Sequence, residues 1–173
     1  MDLNVLSALL LFLANDRSGY DIRLLFKATP LGVFSDSPGA IYPALARLEA
    51  RQLLASQAEP GGRRRRAYVR TGAGEAALDS WLRTPVDPET VARRPHELEL
   101  RYVLVATHLG RGAGADFLAA CAEAYRARIA ELEAFRAGHP EIGAISIEAL
   151  GLGIALFRTR LDWCVDTARK GGE

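Results

Sequence analysis

The chain has 173 residues, of which 49% are hydrophobic, 25% are charged and 8% are aromatic. This composition is typical of a folded protein with one ordinary domain or two small ones, and it excludes a disordered or collagen-like chain. The formal net charge of +1, taken over the whole chain, indicates no polyanionic partner. Two cysteines are too few for a disulfide scaffold, so we expect a reduced, cytoplasmic setting.

The first apolar run, residues 5–14, is predicted to be a buried helix and not a targeting segment. The only charge before it is Asp2, whereas a secretory signal begins with positive charge. A run of this length is also too short to span a bilayer, which takes about 20 residues. We therefore expect neither an export signal nor a membrane span.

The charges divide unevenly about a segment rich in proline. Residues 1–83 contain 11 Lys+Arg and 8 Asp+Glu, a net charge of +3, whereas residues 84–173 contain 11 and 13, a net charge of −2. Three prolines lie in residues 84–96, and proline lacks an amide donor and disfavours helix in the residue before it. We therefore predict domains at 1–83 and 97–173, joined by a linker at 84–96.

The first half is predicted to contain four helices and one hairpin. Apolar residues recur at helical spacing in residues 3–14, and Ser18 is placed to cap a second helix. Ser37-Pro38 favours the start of a third helix, because serine is a preferred N-cap and proline at the first helical position loses no hydrogen bond. Thr71 is placed to cap the fourth helix.

Between the third and fourth helices the sequence predicts a β-hairpin. Residues 53–56 and 67–70 are short strand candidates, and Pro60-Gly61-Gly62 between them supplies turn chemistry. Four consecutive arginines follow this turn. Four guanidinium groups on a short loop cannot all be neutralised locally, and each is able to pair with a phosphate or to enter a minor groove.

The second half is predicted to be helical throughout, with helices over residues 97–109, 116–137 and 146–169. Residues 110–114 are interpreted as a helix–helix connection, because they follow a helix and lack the Lys-Ser/Thr of a phosphate loop. Apolar residues of the last helix are spaced 3, 4, 3, 4 and 3 apart, which is the a/d pattern of a helical interface. These residues are Ile147, Leu150, Ile154, Phe157, Leu161 and Cys164.

We expect this seam to pack against a second copy of the chain, because three C-terminal helices offer few places to bury it internally. Leu6 and Leu10 of the nearly apolar first helix are expected at the same dimer interface. A twofold dimer also supplies two recognition helices about one DNA turn apart.

The strongest functional signal is the order of elements in the first half. Ile41, Leu45 and Leu48 form a narrow buried stripe on the third helix, so that small and polar residues face outward, as in a helix that enters a DNA groove. A four-arginine run alone is more often a solvated loop, and a Ser-Pro start alone is ordinary capping. Two helices, two strands and a basic tip in this order are typical of a winged helix-turn-helix.

This half resembles the PadR family of winged-helix transcriptional regulators. The most specific stretch is Ser37-Pro38-Gly39-Ala40-Ile41-Tyr42-Pro43-Ala44-Leu45-Ala46-Arg47-Leu48-Glu49. Further matches are Gly19-Tyr20-Asp21-Ile22, Leu53-Leu54, Arg66-Ala67-Tyr68 and Thr71-Gly72-Ala73-Gly74. The second half is similar to the three-helix dimerisation region of the subfamily with a long C-terminal domain, on the weaker match of Glu97-Leu98-Glu99-Leu100-Arg101 and Trp163. The resemblance implies a mainly α fold with a small β-hairpin wing, in which a winged helix-turn-helix precedes a helical dimerisation domain.

The resemblance also implies which residues face DNA. They are Ser37, Gly39, Tyr42, Pro43 and Arg47 of the recognition helix and Arg63, Arg64, Arg65, Arg66 and Tyr68 of the wing. Among them Arg47 is the best candidate for a bidentate contact with guanine. This chain departs from the family at Ser18, where histidine is common, and at Arg70, where an apolar residue is usual. We expect Arg70 to add one more cation that reaches a phosphate.

The sequence therefore predicts a homodimeric transcriptional regulator, in our expectation a repressor, that binds a pseudo-palindromic operator in double-stranded DNA. No cofactor is expected. His96, His108 and His139 are isolated and no Cys-x-x-Cys pair is present, so the sequence carries no zinc signature. It also carries no nucleophile motif, and we expect no enzymatic activity.

Two other functions remain open from the sequence. The first is a small-molecule-sensing regulator whose aromatic effector binds between the domains or at the dimer interface, because aromatic side chains dominate such pockets. Its candidate lining residues are Tyr102, Tyr125, Phe157 and Trp163. The second is a winged helix that binds proteins and has no DNA affinity, against which the four arginines argue.

Overall fold

The fold is known from a computed structural model, which describes residues 3–33, 37–58 and 66–171. The chain divides into two compact units, Met1–Thr84 and Pro85–Glu173. Both are mainly helical, and the first also contains a small antiparallel sheet. The predicted fold class, mainly α with a small β-hairpin wing, is confirmed. Within the described ranges, no helix combines the length and apolar character that a membrane crossing requires.

The first unit contains four helices and three strands. The helices are α1 (Val5–Leu13), α2 (Gly19–Ala28), α3 (Pro38–Ala50) and α4 (Gly72–Leu82). The strands are β1 (Asn15–Ser18), β2 (Leu54–Ala58) and β3 (Arg66–Arg70), and a short 3₁₀ helix (Pro30–Val33) follows α2. The sheet is antiparallel, with β3 between β1 and β2.

The helices of this unit begin at the predicted caps. Ser18 and Asp21 form a capping box, in which the Ser18 hydroxyl accepts from the Asp21 N–H at 3.2 Å and the Asp21 carboxylate accepts from the Ser18 N–H at 3.1 Å. Ser37 Oγ accepts from the Gly39 N–H at 3.2 Å, and Thr71 caps α4 in the same manner. These local interactions fix where α2, α3 and α4 start.

Apolar residues of all four helices and of β2 form the core of this unit. α1 packs on α3 and α4, and α2 packs on α3. The fully buried large side chains are Leu9, Leu10, Leu11, Ile22, Phe26, Ile41, Leu45, Leu48, Leu54 and Leu78. Leu10 is therefore a core residue, which corrects its assignment to a dimer interface, whereas Leu6 is half-buried.

Strand β1 is missing from the sequence-based prediction, and its composition explains why. Asn15, Asp16 and Arg17 are polar residues with low strand propensity, and Asp16 has a left-handed φ of 54°. The left-handed residue coincides with a shift in register between Asn15 and Arg17. The strand exists because β3 offers a partner, and it pairs Ser18 with Ala67.

Arg70 also departs from the prediction, because it reaches into its own unit and not toward a phosphate. Its Nη1 donates to the backbone carbonyls of Leu11 and Phe12, each at 2.9 Å, and its Nε pairs with Glu75 at 2.6 Å. These carbonyls belong to the last turn of α1, where a helix has no donors of its own to offer. Arg70 thus joins α1, β3 and α4, and the expected phosphate contact is wrong.

The second unit consists of helices only. They are α5 (Pro88–Arg93), α6 (Pro95–His108), α7 (Arg111–Gly138) and α8 (Ala144–Gly171). The predicted linker 84–96 therefore contains a helix, α5, which Asp87 caps by accepting the Thr90 N–H at 3.0 Å. Pro88 occupies the first helical position, where proline favours a helix start, and Val91 is buried.

Helix α7 begins at Arg111 and not at Asp116, so most of the predicted connection is helical. The glycines that suggest a loop serve a close approach of helices. A Cβ added at Gly114 would lie 2.9 Å from the Ala106 Cβ and 3.3 Å from the Tyr102 ring. Glycine at this position lets α6 and α7 pack in contact, which a larger residue would prevent.

The predicted seam of α8 faces α7 within the same chain. Ile154 and Cys164 are fully buried, and the Phe157 ring lies 6.0 Å from the ring of Tyr125. The prediction that Ile154 and Cys164 contact a second copy is therefore wrong, since the partner helix of the seam is α7. The other four seam residues, Ile147, Leu150, Phe157 and Leu161, are half-buried.

A different face of α8 is exposed and apolar. Its residues are Ile145, Leu152, Leu156 and Trp163, with exposed fractions of 83%, 64%, 50% and 40%. They are spaced 7, 4 and 7 residues apart, so they lie along one side of the helix. We call this set the α8 stripe.

Candidate nucleic-acid interface

Helix α3 has two faces of opposite character. Ile41, Leu45 and Leu48 are buried in the core, as the predicted stripe requires. The opposite face is exposed and combines small residues with one aromatic and one cationic side chain. It consists of Gly39, Tyr42, Pro43, Ala46 and Arg47, at positions i, i+3, i+4, i+7 and i+8. We call this set the outward face of α3.

The first turn of α3 carries no bulky side chain. Ser37 is exposed, and a Cβ added at Gly39 would meet only the Ser37 hydroxyl oxygen, at 3.5 Å. Pro43 lies inside the helix and has no amide to donate to the Gly39 carbonyl. The N–H groups of Gly39, Ala40 and Ile41 all donate to Ser37, so the helix start offers a small hydroxyl and a backbone without bulky side chains at the end where a recognition helix contacts DNA.

The hairpin beside α3 is formed by β2 and β3. Its register pairs Leu54 with Arg70 and Ala58 with Arg66, so the tip lies beyond Ala58 and Arg66. Arg66 is exposed at the start of β3. The other three predicted wing arginines, Arg63, Arg64 and Arg65, lie outside the described residues.

Tyr68 and Glu49 connect the hairpin to α3, and the role of Glu49 is not evident from the sequence. Tyr68 lies opposite Ser56 in the sheet, and the Ser56 hydroxyl donates to the Glu49 carboxylate. Burial raises the pKa of the Tyr68 hydroxyl, and the negative charge of Glu49 raises this pKa further. The Tyr68 hydroxyl is therefore uncharged at neutral pH and is able to donate a hydrogen bond to a phosphate.

Helix α2 adds residues that sequence reasoning does not assign to the site. Tyr20 and Leu24 are exposed, and the guanidinium carbon of Arg23 lies 5.5 Å from the centre of the Tyr20 ring. The first helix of a helix-turn-helix crosses the DNA backbone. The position of α2 directly before the recognition helix in the sequence is the signal from which these side chains could have been predicted.

The four candidate effector residues form two pairs in the second unit. The rings of Tyr102 and Trp163 meet edge to face, with centroids 5.5 Å apart, whereas Tyr125 is buried against Phe157. Of the four, Tyr102 alone lines a cavity of about 350 Å³ between α6, α7 and α8. Other residues around this cavity are Thr107, Arg111, Leu118, Thr167 and Lys170.

The transcriptional regulator PadR-like family matches the chain over residues 9–80. No curated protein matches it. Bacillus subtilis PadR in complex with operator DNA is 22% identical, with 99% of each chain covered and a TM-score of 0.44. The same protein in complex with p-coumaric acid is 22% identical over 98% of this chain and 96% of that chain, with a TM-score of 0.41. The PadR-like regulator BC1756 from Bacillus cereus is 21% identical over 98% of each chain, with a TM-score of 0.40.

The matched residues include α2, α3, the hairpin strands and most of α4, so they contain every part of the candidate interface described above. Residues 9–80 of this chain are therefore a domain of the transcriptional regulator PadR-like family.

Proposed function

We propose that the chain is a homodimeric transcriptional repressor that binds a pseudo-palindromic operator through α3 and the arginine wing. The observation that carries this proposal is the outward face of α3. Residues 39, 42, 43, 46 and 47 are all exposed and lie on one side of the helix. A helix that enters a groove about 12 Å wide needs small residues along that side and a few long ones that reach the base edges.

Positive charge supports the same function. The first 83 residues carry a net charge of +3, although the whole chain is close to neutral. Arg66 is exposed at the start of β3, and in the sequence it follows three further arginines, residues 63–65. Arginine binds phosphate through two parallel hydrogen bonds, so the wing supplies affinity that does not depend on sequence.

We assign the recognition of the DNA base sequence to α3. Arg47 lies about two and a half helical turns beyond the exposed start of the helix. It has the length and the fork of donors that pair with the O6 and N7 atoms of guanine. Ser37, Gly39 and Tyr42 lie nearer the start, where they contact the backbone or the adjoining base pairs. Contacts of both kinds are needed for a specific site.

The α8 stripe supports dimer formation. An apolar stripe along one side of a helix loses its contact with water when it packs on the same stripe of a second copy. In a twofold arrangement each copy provides one recognition helix, so the operator has two related half-sites.

The experiment that tests DNA binding uses duplexes selected from a random library by the full-length protein. Fluorescence anisotropy then gives the Kd at several salt concentrations. Replacement of Arg63, Arg64, Arg65 and Arg66 by alanine should flatten the slope of log K against log salt by several units per dimer, because each phosphate contact contributes about 0.9. Arg126→Ala, which removes an exposed arginine of the second unit, is the control. An unchanged slope in the wing variant, or no selected duplex at all, would contradict the proposal.

The cavity of the second unit favours an additional function, the sensing of a small organic anion. Arg111 and Lys170 both line it, no carboxylate is among its lining residues, and within the described residues neither cation has an ion pair. Tyr102 and Leu118 supply an apolar wall. At about 350 Å³ the cavity is at the small end of the range for ligand sites, about 300–1,000 Å³.

Trp163 provides the measurement for this second function, because its ring contacts Tyr102. In a Trp81→Phe variant, benzoate should change the fluorescence of Trp163 with saturation, and the neutral benzamide should bind at least about tenfold more weakly. Combined Arg111→Gln and Lys170→Gln should abolish the difference. Arg169→Gln, whose guanidinium pairs with Asp166, should retain it. Equal Kd values for benzoate and benzamide would argue against an anion site.

A further inference from the structure

Gly19, the first residue of α2, lies directly beneath the ring of Tyr42 on α3. A Cβ added at Gly19 would lie 2.8 Å from Cε1 and 3.3 Å from Cδ1 of Tyr42. It would also lie 3.2 Å from Cδ1 of Leu45. The shortest of these separations is well inside ordinary van der Waals contact, so the tyrosine ring occupies space that a side chain at position 19 would need.

The backbone under the ring is held from two sides. Ser18 and Asp21 form the capping box that starts α2, and Ser18 also pairs with Ala67 of β3 in the sheet. Gly19 itself is buried. The backbone at Gly19 is therefore held in place by the hydrogen bonds of α2 and of the sheet and not by its own contacts.

The two neighbours of Gly19 on α3 differ in their freedom to move. Leu45 is fully buried in the core, and its displacement would disturb close packing. Tyr42 is 41% exposed, so its ring has open space on the side away from Gly19. A methyl group at position 19 would consequently push the Tyr42 ring outward and require a shift of only a few tenths of an ångström from Leu45 Cδ1.

We infer that Gly19 is a positioning residue for DNA recognition: because it has no side chain, it sets the direction of the Tyr42 ring on the outward face of α3. This inference rests on the proposed function, since the contact between Tyr42 and DNA is itself part of that proposal. It means that a buried glycine on α2 controls the orientation of a DNA-facing side chain on α3.

A double-mutant cycle tests the inference with a duplex selected by the wild-type protein. Tyr42→Ala should weaken binding by about thirtyfold, the middle of the range for loss of a base contact. Gly19→Ala should weaken it by a similar factor and lose discrimination at the same base pairs. In the Tyr42→Ala background, however, Gly19→Ala should change the Kd by less than about twofold, because the group through which it acts is gone.

Gly72→Ala is the matched control. Gly72 is also the first residue of a helix that follows a hydroxyl cap, but a Cβ added there would meet nothing within 4 Å. Its replacement should leave the Kd and the base discrimination unchanged. If Gly19→Ala weakens binding equally in the wild-type and Tyr42→Ala backgrounds, the cause is damage to the helix and the inference is overturned. It is overturned as well if Gly19→Ala alone binds like the wild type.

The geometric part is measured without DNA. In the wild-type protein, nuclear Overhauser effects should connect the Gly19 Hα protons with the Tyr42 ring protons. Gly19→Ala should weaken these effects and shift the ring resonances, while the resonances of a core residue outside this contact, Leu78 of α4, keep their positions. If no such effect is seen in the wild type, the inference fails even when DNA binds. If it is seen but no duplex is selected, the packing of Gly19 on Tyr42 stands and the proposed function fails.

Discussion

At the scale of single residues, the outward face of α3 depends on a residue without a side chain and a residue without an amide hydrogen as much as on its long side chains. Gly39 leaves the first turn uncovered, and Pro43 removes one amide from the helix. The long side chain that remains on this face beyond Pro43 is that of Arg47, which is exposed. In the proposed complex we therefore expect specific reading of a base pair by α3 to depend chiefly on this guanidinium.

We expect Arg47→Ala to cost about 1–3 kcal/mol of binding free energy, concentrated at one base position, because a bidentate contact to guanine reports on one base pair. Kd values for a set of duplexes with single base-pair changes would measure this. The variant should no longer distinguish that position, whereas Arg126→Ala should behave as the wild type. A loss spread evenly over all duplexes would assign Arg47 to a phosphate.

The residues of the interface differ in how far the sequence predicts them. Ser18, Ser37 and Thr71 are predictable as caps, because capping depends on a hydroxyl and an amide a few positions away. The contact between Gly19 and Tyr42 and the hydrogen bond from Ser56 to Glu49 join separate elements. Such contacts depend on how elements pack, which local spacing does not specify.

At the scale of elements, the helices and the sheet of the first unit are joined by one charged side chain, that of Arg70. Arg70 caps the C-terminal end of α1 from strand β3 and pairs with Glu75 of α4. A helix end that receives donors from a distant strand is joined to the sheet. Arg70 is therefore part of the framework that holds α1, the sheet and α4 together.

Arg70→Ala should lower the free energy of unfolding by about 2–3 kcal/mol, because carbonyls that accept hydrogen bonds from a charged group lose their donor. Urea denaturation of the full chain would measure it. Arg93→Ala removes an exposed arginine that pairs with Glu89 and should cost less than about 0.5 kcal/mol. In anisotropy titrations Arg70→Ala should keep the wild-type salt slope; a flatter slope would restore the phosphate contact.

Two of the elements that local patterns miss, β1 and the first turn of α7, depend on a neighbouring element. Strand β1 consists of polar residues and forms because β3 offers hydrogen bonds, and the first turn of α7 contains glycine because α6 packs against it. Helix α5 begins with Asp87 and Pro88, a combination that favours a helix start, although three nearby prolines suggest a linker. Elements with a strong apolar period are predictable, and those that depend on a neighbour are not.

The packing of α8 on α7 leads us to expect that the two cysteines react slowly with alkylating reagents. Both are buried, and burial raises the pKa of Cys121 to about 12 and that of Cys164 to about 11. Since only the thiolate attacks alkylating reagents, both thiols should resist iodoacetamide at pH 8 in the folded protein and react in urea. Mass spectrometry counts the alkylated sites. Rapid alkylation without urea would show that α7 and α8 separate readily.

At the scale of the whole molecule, the charge and the apolar surface divide between the two units. The +3 half carries the candidate interface, and the −2 half carries the α8 stripe. A near-neutral total is thus compatible with a DNA-binding half and a dimerising half. Because the internal partner of the seam is α7, dimerisation is assigned to the side of α8 that α7 leaves uncovered.

We expect Leu152→Glu with Leu156→Glu to convert the dimer to a monomer, since each apolar side chain buried at an interface contributes roughly 1.5–3 kcal/mol and a carboxylate there adds a desolvation cost. Sedimentation equilibrium would measure the mass. The variant should also bind operator DNA much more weakly, because a monomer contacts one half-site at a time.

Phe135→Glu provides the control, because Phe135 is an exposed apolar residue of α7 outside the α8 stripe. It should leave the mass and the DNA affinity unchanged. If the Leu152→Glu, Leu156→Glu variant remains a dimer like Phe135→Glu, the α8 stripe is not the interface. If the wild type is itself a monomer that binds DNA tightly, binding does not require two half-sites in the operator. A monomeric stripe variant with retained helical circular dichroism would assign the loss of affinity to the lost second recognition helix and not to unfolding.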